Sequence, residues 1–175
     1  MNEEIVNKVQ LSGIIGLDLQ RYAPEESCVG LDIKEMLYQG LMLKEKEFKT
    51  ALTQLDLATF QGKAISIFCS TDAIVPQWAY MLLTQTLMPY SKSIQFGDPR
   101  LHYETLWIQN IKAQDYTHLT GKKVSIKNDI QVPENIYVAI TKELVPIVST
   151  LMYGEIGMPK VIYKKIDLSH ERTDL

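Results

Sequence analysis

Apolar and polar positions follow a succession in this chain that is written twice. Residues 56–98 read DLATFQGKAISIFCSTDAIVPQWAYMLLTQTLMPYSKSIQFGD, and residues 115–155 read DYTHLTGKKVSIKNDIQVPENIYVAITKELVPIVSTLMYGE. With one gap of two residues they share the frame D…GK…SI…VP…Y…T…L.P…G, closed by an acid. In each copy a Gly-Lys pair, Gly62-Lys63 or Gly121-Lys122, marks an entry turn. The short apolar runs behind it predict strands over 64–69 and 123–127. Pro76 and Pro133 fit the first position of a helix, where a missing N–H is no loss. Pro89 and Pro146 end those helices just after Leu87 and Leu144. A second strand follows each time, over 93–96 and 150–153, closed by Gly97 or Gly154. Upstream of each copy, Phe48 and Leu52, or Trp107 and Ile111, form an apolar i,i+4 pair. Each unit therefore reads helix, turn, strand, loop, helix, strand.

The remaining segments carry weaker patterns. The run IIGLDL over 14–19 predicts a strand, and QRYAPEES over 20–27 a loop, from its proline and charge content. Asp32 with Glu35 three residues later resembles a capping box and opens a short helix through Tyr38. Gly40 interrupts it. A helix resumes over 44–54, supported by the Glu45/Lys49 pair. Residues 160–165 (KVIYKK) look like an added edge strand, and the polar remainder to Leu175 like a frayed tail.

Strand, helix and strand within one sheet imply a parallel crossover. The expected architecture is α/β: internally duplicated helix-strand-helix-strand units with an at least partly parallel sheet covered by helices. One domain is expected over 1–175. Its parts are an N-terminal strand and helices over 1–43, repeat units over 44–98 and 103–155, and an edge strand with tail over 156–175. The helix after Pro76, QWAYMLLTQTLM, is apolar nearly all round and must be covered on more than one side. Either the sheet and neighbouring helices cover it, or a second subunit does, which would make a homodimer. Tyr80 and Tyr137 occupy equivalent positions, and their hydroxyls are expected to bond within the core.

Composition narrows the function classes. Apolar residues at 46% and charged residues at 22% are globular values. No window approaches the run of apolar residues a membrane helix needs, and the N-terminus lacks a signal-peptide apolar core. A net charge of −3 argues against a nucleic-acid footprint. Cys28 and Cys69 are far apart and give no disulfide framework, so the expected location is cytoplasmic, with both thiols reduced. His102, His118 and His170 have no partner at metal-ligand spacing, so no metal site is expected. No cofactor-binding or hydrolase motif is present either, and the cofactor stays unknown.

The segment most suggestive of chemistry is Cys69-Ser70-Thr71-Asp72. It falls at the carboxyl end of a strand and before a helix, where ligands of parallel α/β sheets collect. Cys69 is the candidate nucleophile or ligand and Asp72 its polar orienter, with Ser70, Thr71 and Trp78 as ligand-binding candidates. A helix N-terminus nearby would favour an anion or a thiolate. The competing reading is a small buried thiol beside ordinary helix-entry residues. The second copy has Asn128 and Asp129 in place of Cys69 and Ser70.

The blocks MNEEIVNKV, GLDIKEMLYQGLMLKEKEFK, IFCSTDAIVPQWAYMLL and MYGE together resemble domain-of-unknown-function family 2480. The resemblance runs from Met1 to about residue 165 and is most specific around CSTDAIVPQWAYM. It implies a bacterial cytoplasmic protein of unassigned function that occurs alone. It also implies a cysteine shortly after the YGE tripeptide. Here Ile156, Gly157 and Met158 stand there, which leaves Cys69 without a second thiol. Two functions follow: a small-molecule or anion site, catalytic or not, at the Cys69–Asp72 loop, or a non-enzymatic homo-oligomeric adaptor. A concave pocket would favour the first, and a large exposed apolar patch the second.

Overall fold

The computed structural model describes residues 13–166. The expected tail and His170 lie outside the described residues. Seven strands occur among them: β1 Ile14–Leu17, β2 Cys28–Asp32, β3 Ala64–Phe68, β4 Ser93–Phe96, β5 Lys123–Ile126, β6 Thr150–Tyr153 and β7 Lys160–Lys164. Four α-helices accompany them: α1 Glu45–Thr53, α2 Gln77–Leu87, α3 Pro99–Lys112 and α4 Glu134–Leu144. The protein is α/β and its sheets are largely parallel.

The strands form two sheets rather than the single one expected from the repeat. One has the order β2-β3-β4, and the other β1-β5-β6-β7. Every pairing is parallel except β6 with β7. The chain divides accordingly into a central unit, residues 24–106, and an outer unit formed by the residues before and after it. The boundaries read from the repeat, 44–98 and 103–155, mark the recurring sequence and not these compact units.

In the central unit β3 carries four consecutive buried residues, Ala64 to Ile67, as a strand covered on both faces does, with Ser66 the one polar member. Phe48 and Leu52 of α1, and Ala79, Leu83 and Leu87 of α2, bury against Ile65 and Ile67 in one core. In the outer unit β5 is the middle parallel strand, with Val124 in register between Ile15 and Leu151. Trp107 is buried there and its indole N–H donates to Leu19 O at 3.1 Å.

Matching positions make matching bonds in the two units. The N–H of Gly62 donates to Tyr90 O, and that of Gly121 to Ile147 O, both at 2.8 Å. Both glycines have φ near +70°, a conformation that costs a side-chain-bearing residue about 1–2 kcal/mol, so the Gly-Lys turn is a backbone requirement. Asp56 caps the short 3-10 turn before β3 by accepting Ala58 N–H, and Asp115, one residue ahead of the N-cap Tyr116, accepts Thr117 N–H at the turn before β5. Pro76 and Pro133 stand at the N-cap, one residue earlier than expected, and each accepts the first helical bond. Thr84 and Thr141 donate to the carbonyls of Tyr80 and Tyr137. The rings of Tyr80 and Phe96 pack edge-on at 5.3 Å, as do Tyr137 and Tyr153 at 5.8 Å.

Three expectations need correction. The segment 20–27 is not all loop: Leu19–Tyr22 forms a 3-10 helix capped by Asp18. The helix opened by Asp32 is a single 3-10 turn, Ile33–Met36. Within the chain, helix α2 is covered along one side, not by sheet and neighbouring helices all round, and Trp78, Met81 and Met88 are 38%, 72% and 64% exposed. Its mixed pattern hides one buried stripe, Ala79, Leu83 and Leu87, at the spacing that faces a core.

Candidate functional site

Cys69 directly follows β3, at the carboxyl edge of the central sheet. Its half-buried thiol lies 3.3 Å from Thr71 Oγ1, and the Thr71 hydroxyl donates to Gly40 O at 2.6 Å. With that proton committed, Thr71 Oγ1 accepts and the Cys69 thiol donates. The N–H of Ser70 donates to Asp32 Oδ1 at 3.1 Å, and the same oxygen accepts from Lys34 N–H at 3.0 Å. Desolvation pushes the Asp32 pKa up, but the bonds from Ser70 and Lys34 outweigh it, so the carboxyl titrates below its ordinary value. Asp72 is exposed and takes no part in these bonds. Trp78 stands in the first turn of α2 with its ring edge-on to Phe48 at 5.9 Å. The structure therefore gathers Cys69, Ser70 and Thr71 into one hydrogen-bonded turn and leaves Asp72 and Trp78 apart from it. Among the described residues the thiol's side-chain partner is the Thr71 hydroxyl, which is too weak a base to act as a general base toward it.

The cavity opens at the equivalent edge of the outer unit. It has a volume of about 480 Å³, within the range of small-molecule sites. Its apolar lining includes Ile126 at the end of β5, Val132 from the loop, Leu151 of β6 and Ile162 of β7. Its polar lining includes Asn128, Asp129, Glu134, Tyr137, Thr141 and Tyr153. The position is the carboxyl end of parallel strands beside a helix start, where α/β folds place ligands.

This wall is held by a network the sequence reading did not find. The Tyr137 hydroxyl accepts from Asp129 N–H at 3.0 Å and donates to Asp129 O at 3.1 Å. Burial pushes the Tyr137 phenol up, and the negative Asp129 and Asp18 add to that after a smaller opposing effect of the Asp129 backbone bond. The phenol thus stays a neutral donor. The Asp129 carboxylate accepts Gln131 N–H at 2.8 Å and Gln20 Nε2 at 3.2 Å. The Tyr153 hydroxyl donates to Asn128 Oδ1 at 2.6 Å. Asn128-Asp129 had read as the plain member of the loop pair because neither residue is a nucleophile. The available signals were the tyrosines at both Tyr137 and Tyr153, and the loop shortened by two residues relative to its partner.

His102 lies in the central unit, bonded to side chains other than those of the Cys69 turn. It is buried, with Nδ1 3.0 Å from Ser66 Oγ and Nε2 3.0 Å from Ser93 Oγ. Ser66 Oγ also lies 3.7 Å from Cys28 Sγ. Burial lowers the His102 pKa, against a smaller upward pull from Glu26, and the ring is neutral at pH 7 with one nitrogen donating and the other accepting. Burial likewise raises the Cys28 thiol, with smaller lowering by the Ser66 bond. With Ser66 fully buried, this chain serves packing. His118 is exposed in its turn. No group of three or more metal-ligating side chains is found among the described residues, and no described helix is long and apolar enough to cross a membrane.

The sequence model of DUF2480, described as a protein of unknown function, matches residues 3–165. The chain belongs to this family. The match covers the blocks on which the resemblance rested, including both the Cys69 loop and the cavity of this DUF2480 protein. No curated protein and no solved structure matches the chain.

Proposed function

We propose that this DUF2480 protein binds a small molecule in the outer unit's cavity. The observation that carries the reading is a space of about 480 Å³ whose polar wall is pre-set by internal hydrogen bonds. A site ordered before binding loses less entropy when the ligand arrives. The test is a fragment screen followed by protein-observed NMR of isoleucine methyls. Fragments in the cavity shift Ile126, Ile130 and Ile162 together, and Thr141→Phe, which fills the space, removes those shifts. Fragments that leave these methyls unmoved, or that bind the filled variant equally well, would overturn the reading.

A second reading is self-association through the central unit, favoured by a specific surface. Helix α2 contains no charged residue, its Met81 and the following Met88 are exposed, and in the same unit Leu41, Met42 and Ile74 are 61%, 60% and 90% exposed, with Met42 bridged to Ile74. Exposed large apolar side chains in this number on one unit are what an association surface would present. In this reading the protein is a homodimer and the Cys69 turn frames the interface. Sedimentation velocity decides it: Met81→Glu converts a dimer to a monomer, whereas a monomeric mass for the unsubstituted protein at high micromolar concentration refutes it.

A further inference from the structure

We infer that the cavity takes an organic cation, a primary or secondary amine carrying an apolar body; this rests on the small-molecule reading of the same space. The first argument is charge. Two carboxylates, Asp129 and Glu134, line the cavity, and among the described residues neither a lysine nor an arginine lines it. The bonds that fix Asp129 come from neutral donors, the Gln131 N–H and the Gln20 amide, so its charge is oriented but not neutralised. The nearby Lys127 is turned to Asp18, 3.5 Å from Oδ2.

The second argument excludes the opposite charge. The start of α4 would ordinarily attract an anion, but Glu134 occupies its first turn and places the protein's own carboxylate on the positive end of the dipole. An incoming anion meets two like charges in a partly desolvated space. A cation meets two opposite ones, together with the Tyr137 and Tyr153 rings, whose faces also attract positive charge.

The third argument is the remaining wall. Ile126, Val132, Leu151 and Ile162 offer a surface that a hydrated metal ion cannot use but a hydrocarbon or aryl body can. An ammonium toward Asp129 and Glu134, with its carbon skeleton against these residues, satisfies both halves of the cavity.

The experiment compares three probes of similar shape: 2-phenylethylamine, 2-phenylethanol and 3-phenylpropanoate. Binding is followed through the Ile126, Ile130 and Ile162 methyl resonances at pH 7. The amine should bind about tenfold or more tightly than the alcohol, since a charge-assisted contact is expected to contribute that much, and the carboxylate most weakly. Glu134→Gln should reduce the amine preference over the alcohol severalfold, and Asp129→Asn should do the same; for each variant an unchanged amide spectrum elsewhere confirms the fold. Equal affinities for amine and alcohol, or tightest binding of the carboxylate, would overturn the cationic assignment while leaving a small-molecule site. The same holds if the fragment screen fills the cavity but none of these probes does, or if a divalent metal ion alone displaces the amine. Failure of the fragment screen itself would remove the site and this inference together.

Discussion

Removing one oxygen atom, in Tyr137→Phe, should loosen the cavity wall while leaving the fold. The phenyl ring keeps its edge-on contact with Tyr153 at 5.8 Å, so packing is nearly unchanged. What disappears is the bridge from the helix to the loop, one bond accepted from Asp129 N–H at 3.0 Å and one donated to Asp129 O at 3.1 Å. A neutral hydrogen bond contributes about 1 kcal/mol net. Because Asp129 is half-buried, water can replace part of the loss. The expected destabilisation is about 1–2 kcal/mol, or a fall in Tm of about 2–8 °C for a chain of this size. The two tryptophans report separately, since Trp107 belongs to the outer unit and Trp78 to the central one. Urea unfolding followed by Trp107 emission in a Trp78→Phe background reads the affected unit. The equivalent Tyr80→Phe should cost less, because the Cys69 loop is held instead by Thr71 to Gly40 and by Ser70 to Asp32. An unchanged midpoint for Tyr137→Phe, or an equal loss for Tyr80→Phe, would refute the assignment of the bridge.

Other consequences are directly measurable. Gly121→Ala places a Cβ on a residue at φ +70° and should destabilise by about 1 kcal/mol, with Gly62→Ala equivalent in chemical denaturation. Leu83→Ala, fully buried in the central core, should cost about 2–5 kcal/mol, read as a shifted urea midpoint. His102 is neutral in the fold with a pKa below its ordinary 6.5. The unfolded chain therefore takes up a proton first as pH falls, and its stabilising contribution is complete above about 6.5 and lost as pH drops through the folded value. Urea midpoints at pH 7.5 and 5.5 should show that loss, and His102→Gln should remove it. Cys28, whose thiol is raised by burial, should alkylate with iodoacetamide more slowly than a free thiol at pH 8, with occupancy at Cys28 and Cys69 resolved by mass spectrometry.

The elements legible in the sequence are those where local chemistry and tertiary placement agree. The strands at 93–96 and 150–153 were readable to the residue because a glycine with positive φ, Gly97 or Gly154, closes each. Strand β2 was missed: its apolar content, CVGLD, is short and interrupted by Gly30. That glycine has a tertiary cause, since a Cβ there would lie 2.8 Å from Phe68 Cε1 and 3.2 Å from Pro99 Cγ. The division into two sheets was not legible either, because β1 and β2 precede both copies, and only pairing shows that β1 joins β5 while β2 joins β3. The same limit hid the cavity. Residue type drew the reading to Cys69, whereas the space depends on how Tyr137 and Tyr153 meet a shortened loop.

The positions that the two similar stretches of sequence share, and those that they do not, divide the molecule's work. The shared ones, Gly62/Gly121, Asp56/Asp115, Thr84/Thr141 and the Tyr80/Tyr137 rings, make the turns, caps and helix contacts common to both units. Their chemistry is used up by the backbone. The unshared ones pair Trp78 with Asn135, Met81 with Val138 and Gln85 with Lys142, counted from Pro76 and Pro133, and Cys69 with Asn128, counted from Gly62 and Gly121 ahead of the two-residue gap. These lie on the outer helix faces and in the loops, where change does not disturb the common bonds. The central unit thus carries an uncharged apolar helix face and the outer unit an acid-lined cavity. Substitution at the shared set should therefore lower stability in whichever unit it falls. Substitution at Met81 or Glu134 should leave stability within about 0.5 kcal/mol and change only association or ligand binding. A stability loss at Met81 as large as that at Leu83 would mean that its side chain belongs to the fold and not to a surface.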